Sequence, residues 1–330
     1  MKTVVVNESR DLVDEEIARP TPRPHDVLVQ IKAISINPID IHRIHRITPD
    51  DPRVLGYDAL GEVVATGSDA HQYQIGDVIF YAGGTNRNGS YADYQLVDER
   101  LTALAPTKTT VAEAAAMPLT WLTAYEILVD KLGYQPAQGA NKNDTILVIN
   151  GAGGAGSVLT QFANWLGLTV IATASPRNFD WLRTHGTTVC IDYHGDIQAQ
   201  LNDAGYQSVD AVVNFFDTAG YFDIAREIVR PFGHLVNVAL TPEPIDIIRL
   251  QAKSLSFDWE LMFTKSSLGY DMASQGQALA LLSRLLDNGD IKTTLTKRVV
   301  APINATTIGQ THALLKANAV VGKIVVEVPK

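Results

Sequence analysis

Cysteine is nearly absent from this 330-residue chain, in which Cys190 stands alone. One thiol cannot close an intrachain disulfide, which points to a cytoplasmic setting. Positive charge is in deficit too, with 27 Lys and Arg against 36 Asp and Glu and a formal net charge of −9. That balance, with no basic run to offset it, argues against a nucleic-acid surface and against an anionic membrane. Long apolar stretches are missing, so no segment reaches the roughly 20 residues of a membrane span. The opening MKTVVVNESRDLVDEE meets its charges too early to resemble a secretory signal. Repeats and low-complexity linkers are absent as well. What remains is 46% hydrophobic side chains over a length sufficient for two cores, the profile of a soluble enzyme.

The most informative stretch begins at Thr145, where TILVINGAGGAGSVL runs from an apolar segment through Gly151, Gly153 and Gly156 into an apolar-periodic one. Strand, GxGxxG turn and helix start stand in the order that dinucleotide binding requires. The first glycine permits the tight turn, the second lets backbone approach a pyrophosphate, and the third lets helix pack on strand. Phosphates would then face free N–H groups at a positive helix end, along Gly151, Gly153, Ala155 and Gly156. Further apolar runs follow: LTVIATAS from Leu168, TTVCIDY from Thr187, VDAVVNFFD from Val209 and GHLVNVAL from Gly233, each separated by a helical segment. Continuous apolar strands alternating with helices describe a doubly wound parallel sheet covered on both faces.

The second strand carries a hint about the cofactor. NAD binders place an acid about 20 residues beyond the first glycine to accept from the ribose 2′-hydroxyl. No acid lies between Gly156 and Asp180; Ser175 and Arg177 instead offer a hydroxyl and a guanidinium where a 2′-phosphate would sit. NADP(H) is the expected cofactor. Asn214 and Phe215 end the fourth strand and Leu240 the fifth, at the edge where a nicotinamide half should run.

Before this unit lie short β-rich runs, DVLVQIKAISIN, ALGEVVATG, DVIFYAG and SYADYQLVD, broken by Gly, Pro, Asn and Asp. They predict a compact, mostly antiparallel β domain. A helical stretch from Val111, broken at Pro118, leads into the first parallel strand. After the strand-like SLSFDWELMF come helices near 271–287 and 305–317, with LTKRVV between them and GKIVVEV at the end.

The segments NPID (37–40), GYDALGEV (56–63), GDVIFYAG (76–83), VDER (97–100), EAAAMPLTWLTAYE (113–126), the glycine motif and WELMFT (259–264) together resemble the medium-chain dehydrogenase/reductase superfamily. Within it they resemble the zinc-less quinone oxidoreductase-like branch, often labelled zinc-type alcohol dehydrogenase-like. The resemblance spans most of the chain. It implies an α/β protein with a GroES-like β-rich catalytic domain over 1–120, a Rossmann domain over 121–265, and a segment over 266–330 returning to the catalytic domain. It also implies a homodimer. Asn37, Asp40 and Tyr57 are thereby assigned catalytic places, Thr123 a place near the nicotinamide, Tyr193 a share of the 2′-phosphate pocket, and Met262 and Phe263 the substrate side.

Zinc-dependent relatives carry a cysteine at the place of Asn37 and a histidine at that of Tyr57. Amide and phenol do not replace thiolate and imidazole as zinc ligands, and 83–105 has no cysteine for a structural zinc. A rebuilt set of Asp40, His42, His45 and Asp58 is conceivable, but the expectation is no metal. The leading expectation is therefore an NADPH-dependent oxidoreductase passing hydride to a quinone or other conjugated carbonyl, a small-molecule substrate. An alcohol dehydrogenase or aldehyde reductase, and a non-enzymatic NADPH-binding or structural protein, are the alternatives.

Overall fold

The computed structural model describes every residue except Pro49, Pro52, Asn318, Ala319 and Lys330. The chain divides into two compact units, residues 1–122 with 262–330, and residues 123–261.

The first unit opens with an antiparallel pair, β1 (Lys2–Val6) and β2 (Leu12–Glu16). The long β3 (Asp26–Ile36) follows, then β4 (Asp58–Thr66), β5 (Val78–Tyr81), β6 (Tyr94–Asp98) and β7 (Thr102–Leu104). These four pair antiparallel around β3, in the order β3-β4-β5-β7 with β6 also on β3. Side chains of Val27, Val29, Ile34, Ala59, Val63 and Ile79 are fully buried, so the alternating apolar positions of these strands form the core. The helical stretch from Val111 divides into Val111–Ala115, Pro118–Tyr125 and a π-helical turn, Glu126–Lys131. Pro118 lacks the N–H that a continuous helix would use, and so begins a new helix.

The second unit is built on β8 (Thr145–Ile149), β9 (Thr169–Ala174), β10 (Val189–Asp192), β11 (Val209–Asn214), β12 (Val229–Asn237) and β13 (Ser256–Trp259). All neighbours are parallel, in the order β10-β9-β8-β11-β12-β13. Strand order reverses direction between β8 and β11, the switch point at which open α/β sheets take ligands. The central strands β8 and β9 carry almost wholly buried side chains because both faces are covered, whereas the edge strand β13 is not buried. Leu147, Ile149, Ile171, Val212 and Leu235 pack with Leu201, Phe222 and Ile228 from helices on one side. Only Ser256–Trp259 of the strand-like SLSFDWELMF is extended, since Met262 already has helical backbone and caps the helix Phe263–Leu268.

Back in the first unit, helix Met272–Asn288, β14 (Leu295–Val300), helix Ala305–Lys316 and β15 (Lys323–Glu327) complete it. β15 lies antiparallel to β3, with Ile324 opposite Ile36, and β14 lies parallel to β15.

Candidate active site

The glycine turn sits at the end of β8. Asn150 adopts φ 65°, and its N–H donates to Thr173 Oγ1 (3.0 Å) while Gly151 N–H donates to Thr173 O (3.0 Å), tying the turn to β9. A Cβ on Gly151 would lie 2.7 Å from Ala172 Cβ, and one on Gly156 2.3 Å from Asn150 O. Packing alone therefore demands glycine at both. Gly153 is different: its Cβ would meet first the tip of the Asn150 side chain, at 3.0 Å. The fold does not require glycine there, whereas a pyrophosphate approaching the backbone does. Gly153 is the extended N-cap of the 13-residue helix Gly154–Leu166, with half-buried Ala155 in its first turn. These residues fit a dinucleotide.

At the ends of β9 and β10 the structure joins Ser175 to Tyr193, whose hydroxyls are 3.0 Å apart. Arg177, two residues on, is exposed and makes no ion pair among the described residues. Asp192 lies beside this pair, held by His194 at 2.7 Å, a neighbour that sequence reasoning missed. Asn214 is committed locally, donating to Asp217 O (2.8 Å) and accepting from Phe216 N–H (3.0 Å). Phe215 is half-buried, and Leu240 is exposed after β12. Thr123 is buried at the start of this unit.

In the first unit, Asn37 ends β3 and precedes helix Pro38–Ile44, whose Pro38 sits at the first position where no N–H is needed. Asp40 Oδ2 accepts from Asn37 N–H (2.8 Å), the returning half of a capping box. The β3–β15 register brings Lys323 to the same place. Its ammonium donates to Ile36 O (3.1 Å), to Asp58 Oδ2 (3.2 Å) and to Asn37 Oδ1. Asn37 Nδ2 in turn donates to Asp58 Oδ2 (2.8 Å), and Leu119 N–H to Asp58 Oδ1 (2.7 Å). The Asn37 amide thus faces inward on both atoms. Burial pushes the Asp58 carboxyl above its ordinary range, with Lys323 opposing the shift.

Asp40 is fully buried, and burial raises its carboxyl to about 7 against hydrogen bonds from Asn37 and Tyr91. Tyr91 Oη donates to Asp40 Oδ2 (2.9 Å) and lies 2.9 Å from His312 Nε2. Tyr57 is buried edge-on against Phe263, ring centres 5.0 Å apart, and its hydroxyl is raised by burial. Met262, next to Phe263, is buried with its carbonyl accepting from Gln275 Nε2 (2.6 Å). The structure therefore gathers Asn37 and Asp40 with Asp58, Tyr91, His312 and Lys323, and pairs Tyr57 with Phe263. Lys323 had one sequence signal, a lone cation opening an apolar strand; Tyr91 and His312 had none.

Residues 23–108 match the alcohol dehydrogenase GroES-like domain, and residues 185–326 the zinc-binding dehydrogenase family. A zinc-type alcohol dehydrogenase-like protein of Staphylococcus aureus (strain MSSA476) is 36% identical over 317 residues, covering 95% of this chain and 94% of that one. A solved Rhizobium etli CFN 42 protein of the zinc-dependent alcohol dehydrogenase type is 38% identical with TM-score 0.92, over 99% of this chain and 98% of its own. Escherichia coli quinone oxidoreductase, solved with NADPH, shares the fold at TM-score 0.83 and 21% identity, over 99% and 100% of the two chains.

Zinc stands in these family names, but the residues present do not supply its usual ligands. Asn37 and Tyr57 offer an amide and a phenol, and the Asn37 oxygen is taken by an ammonium. His42 and His45 are exposed while Asp40 and Asp58 are fully buried, so that set does not converge. Among the described residues no group of three His, Cys, Asp or Glu side chains could hold a metal ion. This donor set does not fit zinc. Full-length identity of 36% to a curated relative, with a matching GroES-like domain and a parallel sheet carrying the glycine turn, shows that the chain belongs to the medium-chain dehydrogenase/reductase superfamily.

Proposed function

We propose that this oxidoreductase uses NADPH to reduce quinones or other conjugated carbonyl compounds, without zinc. The observation that carries the reading is the Lys323 ammonium bonded to Asn37 and Asp58, with Asn37 standing where the family resemblance puts a zinc-ligating cysteine. In zinc-dependent dehydrogenases the metal polarises the oxygen of a simple aldehyde or alcohol. A conjugated carbonyl delocalises the incoming charge itself and asks less of the protein. Bound NADPH would supply the hydride. Gly151, Gly153, Ala155 and Gly156 would cradle its pyrophosphate, and Ser175, Arg177 and Tyr193 would read the 2′-phosphate. Thr123, Asn214, Phe215 and Leu240 are proposed for the nicotinamide side, and Met262 and Phe263 for the substrate. Tyr57 would orient the substrate oxygen, and Asp40 would supply the proton that follows. Residues 1–120 with 266–330 form the catalytic domain in this reading and 121–265 the cofactor domain, in a cytoplasmic homodimer.

The test is turnover of a quinone and enone panel with NADPH and with NADH, in a strong chelator, beside an ethanol and aldehyde assay with added zinc. Chelator-resistant quinone or enone reduction preferring NADPH is expected. Zinc-dependent turnover confined to the alcohol and aldehyde, with about one zinc per chain by elemental analysis, would replace this reading by an alcohol dehydrogenase.

A further inference from the structure

The first unit contains a buried hydrogen-bonded chain that extends beyond the capping box of helix Pro38–Ile44. Asp40 Oδ2 already accepts two bonds, from Asn37 N–H and Tyr91 Oη, while Asp40 Oδ1 is buried with no partner among the described residues. An unpartnered buried carboxylate oxygen is costly. The same oxygen carrying a proton is a donor awaiting an acceptor. On the other side of Tyr91, His312 Nε2 stands 2.9 Å from the same hydroxyl, with the two ring centres 5.8 Å apart. His312 comes from helix Ala305–Lys316, Tyr91 from the loop before β6, and Asp40 from helix Pro38–Ile44. Three distant segments converge on one line of exchangeable protons.

We propose that Asp40, Tyr91 and His312 form a buried proton wire that replenishes the proton consumed in substrate reduction. The proposal rests on the reductase reading above. There, hydride joins the electrophilic carbon, the π pair moves onto oxygen, and the enolate so formed takes the proton from Asp40 Oδ1, leaving a carboxylate. The Tyr91 O–H proton then passes to Asp40 Oδ2 and the His312 Nε2–H proton to Tyr91, while Nδ1 takes one from solvent, and rotation of the protonated carboxyl brings the proton back to the Oδ1 position. One proton leaves the wire, one enters, and no electron passes through it; exchange with solvent resets the imidazole tautomer.

The charged surroundings suit this traffic. Lys323 and Asp58 face Asp40 with opposite effects, and Asn37 N–H and Tyr91 favour its carboxylate, leaving it near 7. Burial and Lys316, exposed one helical turn along, hold His312 down at about 4, so the ring stays neutral and can both give and take a proton. Tyr57, coupled to Asp40 and Tyr91 through space, is a raised phenol that does not compete as an anion. Tyr91 and His312 act through Asp40 and are positioning residues.

The test uses the full-length protein. His312→Gln keeps a donor toward Tyr91 but cannot relay, so kcat should fall about a hundredfold with KM within roughly twofold. His312→Ala should fall likewise and regain turnover with added imidazole. In infrared pH titrations of the protein alone, a carboxyl band with midpoint near 7 should vanish in Asp40→Asn and move to higher pH in Tyr91→Phe, which loses a bond favouring the carboxylate. Full activity in His312→Gln, or no imidazole rescue of a folded His312→Ala, overturns the wire. So does an unmoved band in Tyr91→Phe, a result that stands even if no conjugated carbonyl is turned over and the reductase reading falls by itself.

Discussion

Replacing Lys323 by methionine removes one charge from a pair sealed inside the first unit, where Lys323 is 4% and Asp58 0% exposed. All three ammonium protons are used, on Ile36 O, Asn37 Oδ1 and Asp58 Oδ2. Methionine fills the same volume, so packing loss is small and the cost is that of an uncompensated carboxylate, about 3–5 kcal/mol. Asp58→Asn strands the ammonium and should cost a similar amount. The double variant removes both charges, so it should be less harmful than the sum by at least about 2 kcal/mol. Trp121 is fully buried and belongs to the first unit, while Trp165, Trp181 and Trp259 belong to the second. Urea unfolding followed by Trp121 fluorescence, with the other three changed to Phe, therefore reads the right unit at constant m. The pH dependence has a definite sign. Asp58 is already raised above its ordinary 3.8 in the folded state. A raised carboxyl contributes stability fully below that ordinary value and loses it as pH rises through the folded one. Loss of Lys323 raises it further, so the Lys323→Met deficit should be small in acid and grow toward neutrality. Additive single costs, or a deficit independent of pH, would refute the assignment of Lys323 as the counter-charge of Asp58.

Gly156→Ala puts a Cβ 2.3 Å from a backbone oxygen and should cost about 1–3 kcal/mol in thermal unfolding. Gly153→Val should instead leave unfolding nearly unchanged and abolish NADPH binding by calorimetry; equal effects of the two would sink the phosphate-cradle assignment. Arg177→Ala should weaken NADPH by about 1.5–3 kcal/mol and spare NADH. Paired dissociation constants check this, and equal losses would count against a 2′-phosphate contact. Glu260 is buried and hydrogen-bonded to Glu126, and burial with that neighbour raises its carboxyl above 4.5. Its stability contribution is thus lost as pH rises, and Glu260→Gln should gain on the parent in alkali but not in acid; parallel melting curves across pH would contradict this.

The parallel sheet was legible because a strand buried on both faces must be apolar along its whole length, and the glycine turn because two of its glycines are enforced by contacts with Ala172 and Asn150. The pairing of β15 with β3 was not legible from pattern, since nothing local to Ile324 indicates Ile36; the family resemblance implied only that the final segment returns to the first domain. The same holds at the site. Ser175 and Tyr193 close two neighbouring parallel strands, so their meeting follows from strand order. Tyr91 and His312 are 221 positions apart, and no periodicity connects a loop tyrosine with a mid-helix histidine. The division at Pro118 was visible, but the π-helical turn after Tyr125 depends on hydrogen bonds that composition does not encode.

The return of the chain to its first unit has a kinetic consequence. β3 and β4 are made early, yet the cation that neutralises Asp58 arrives 265 positions later, with β15. During synthesis the second unit, contiguous over 123–261, can complete its sheet first. The β3–β4 region must meanwhile keep Asp58 and the Asn37 amide solvated, and so cannot close its core around them. The first unit therefore cannot complete its core around Asp58 until β15 has been synthesised, after the whole sequence of the second unit.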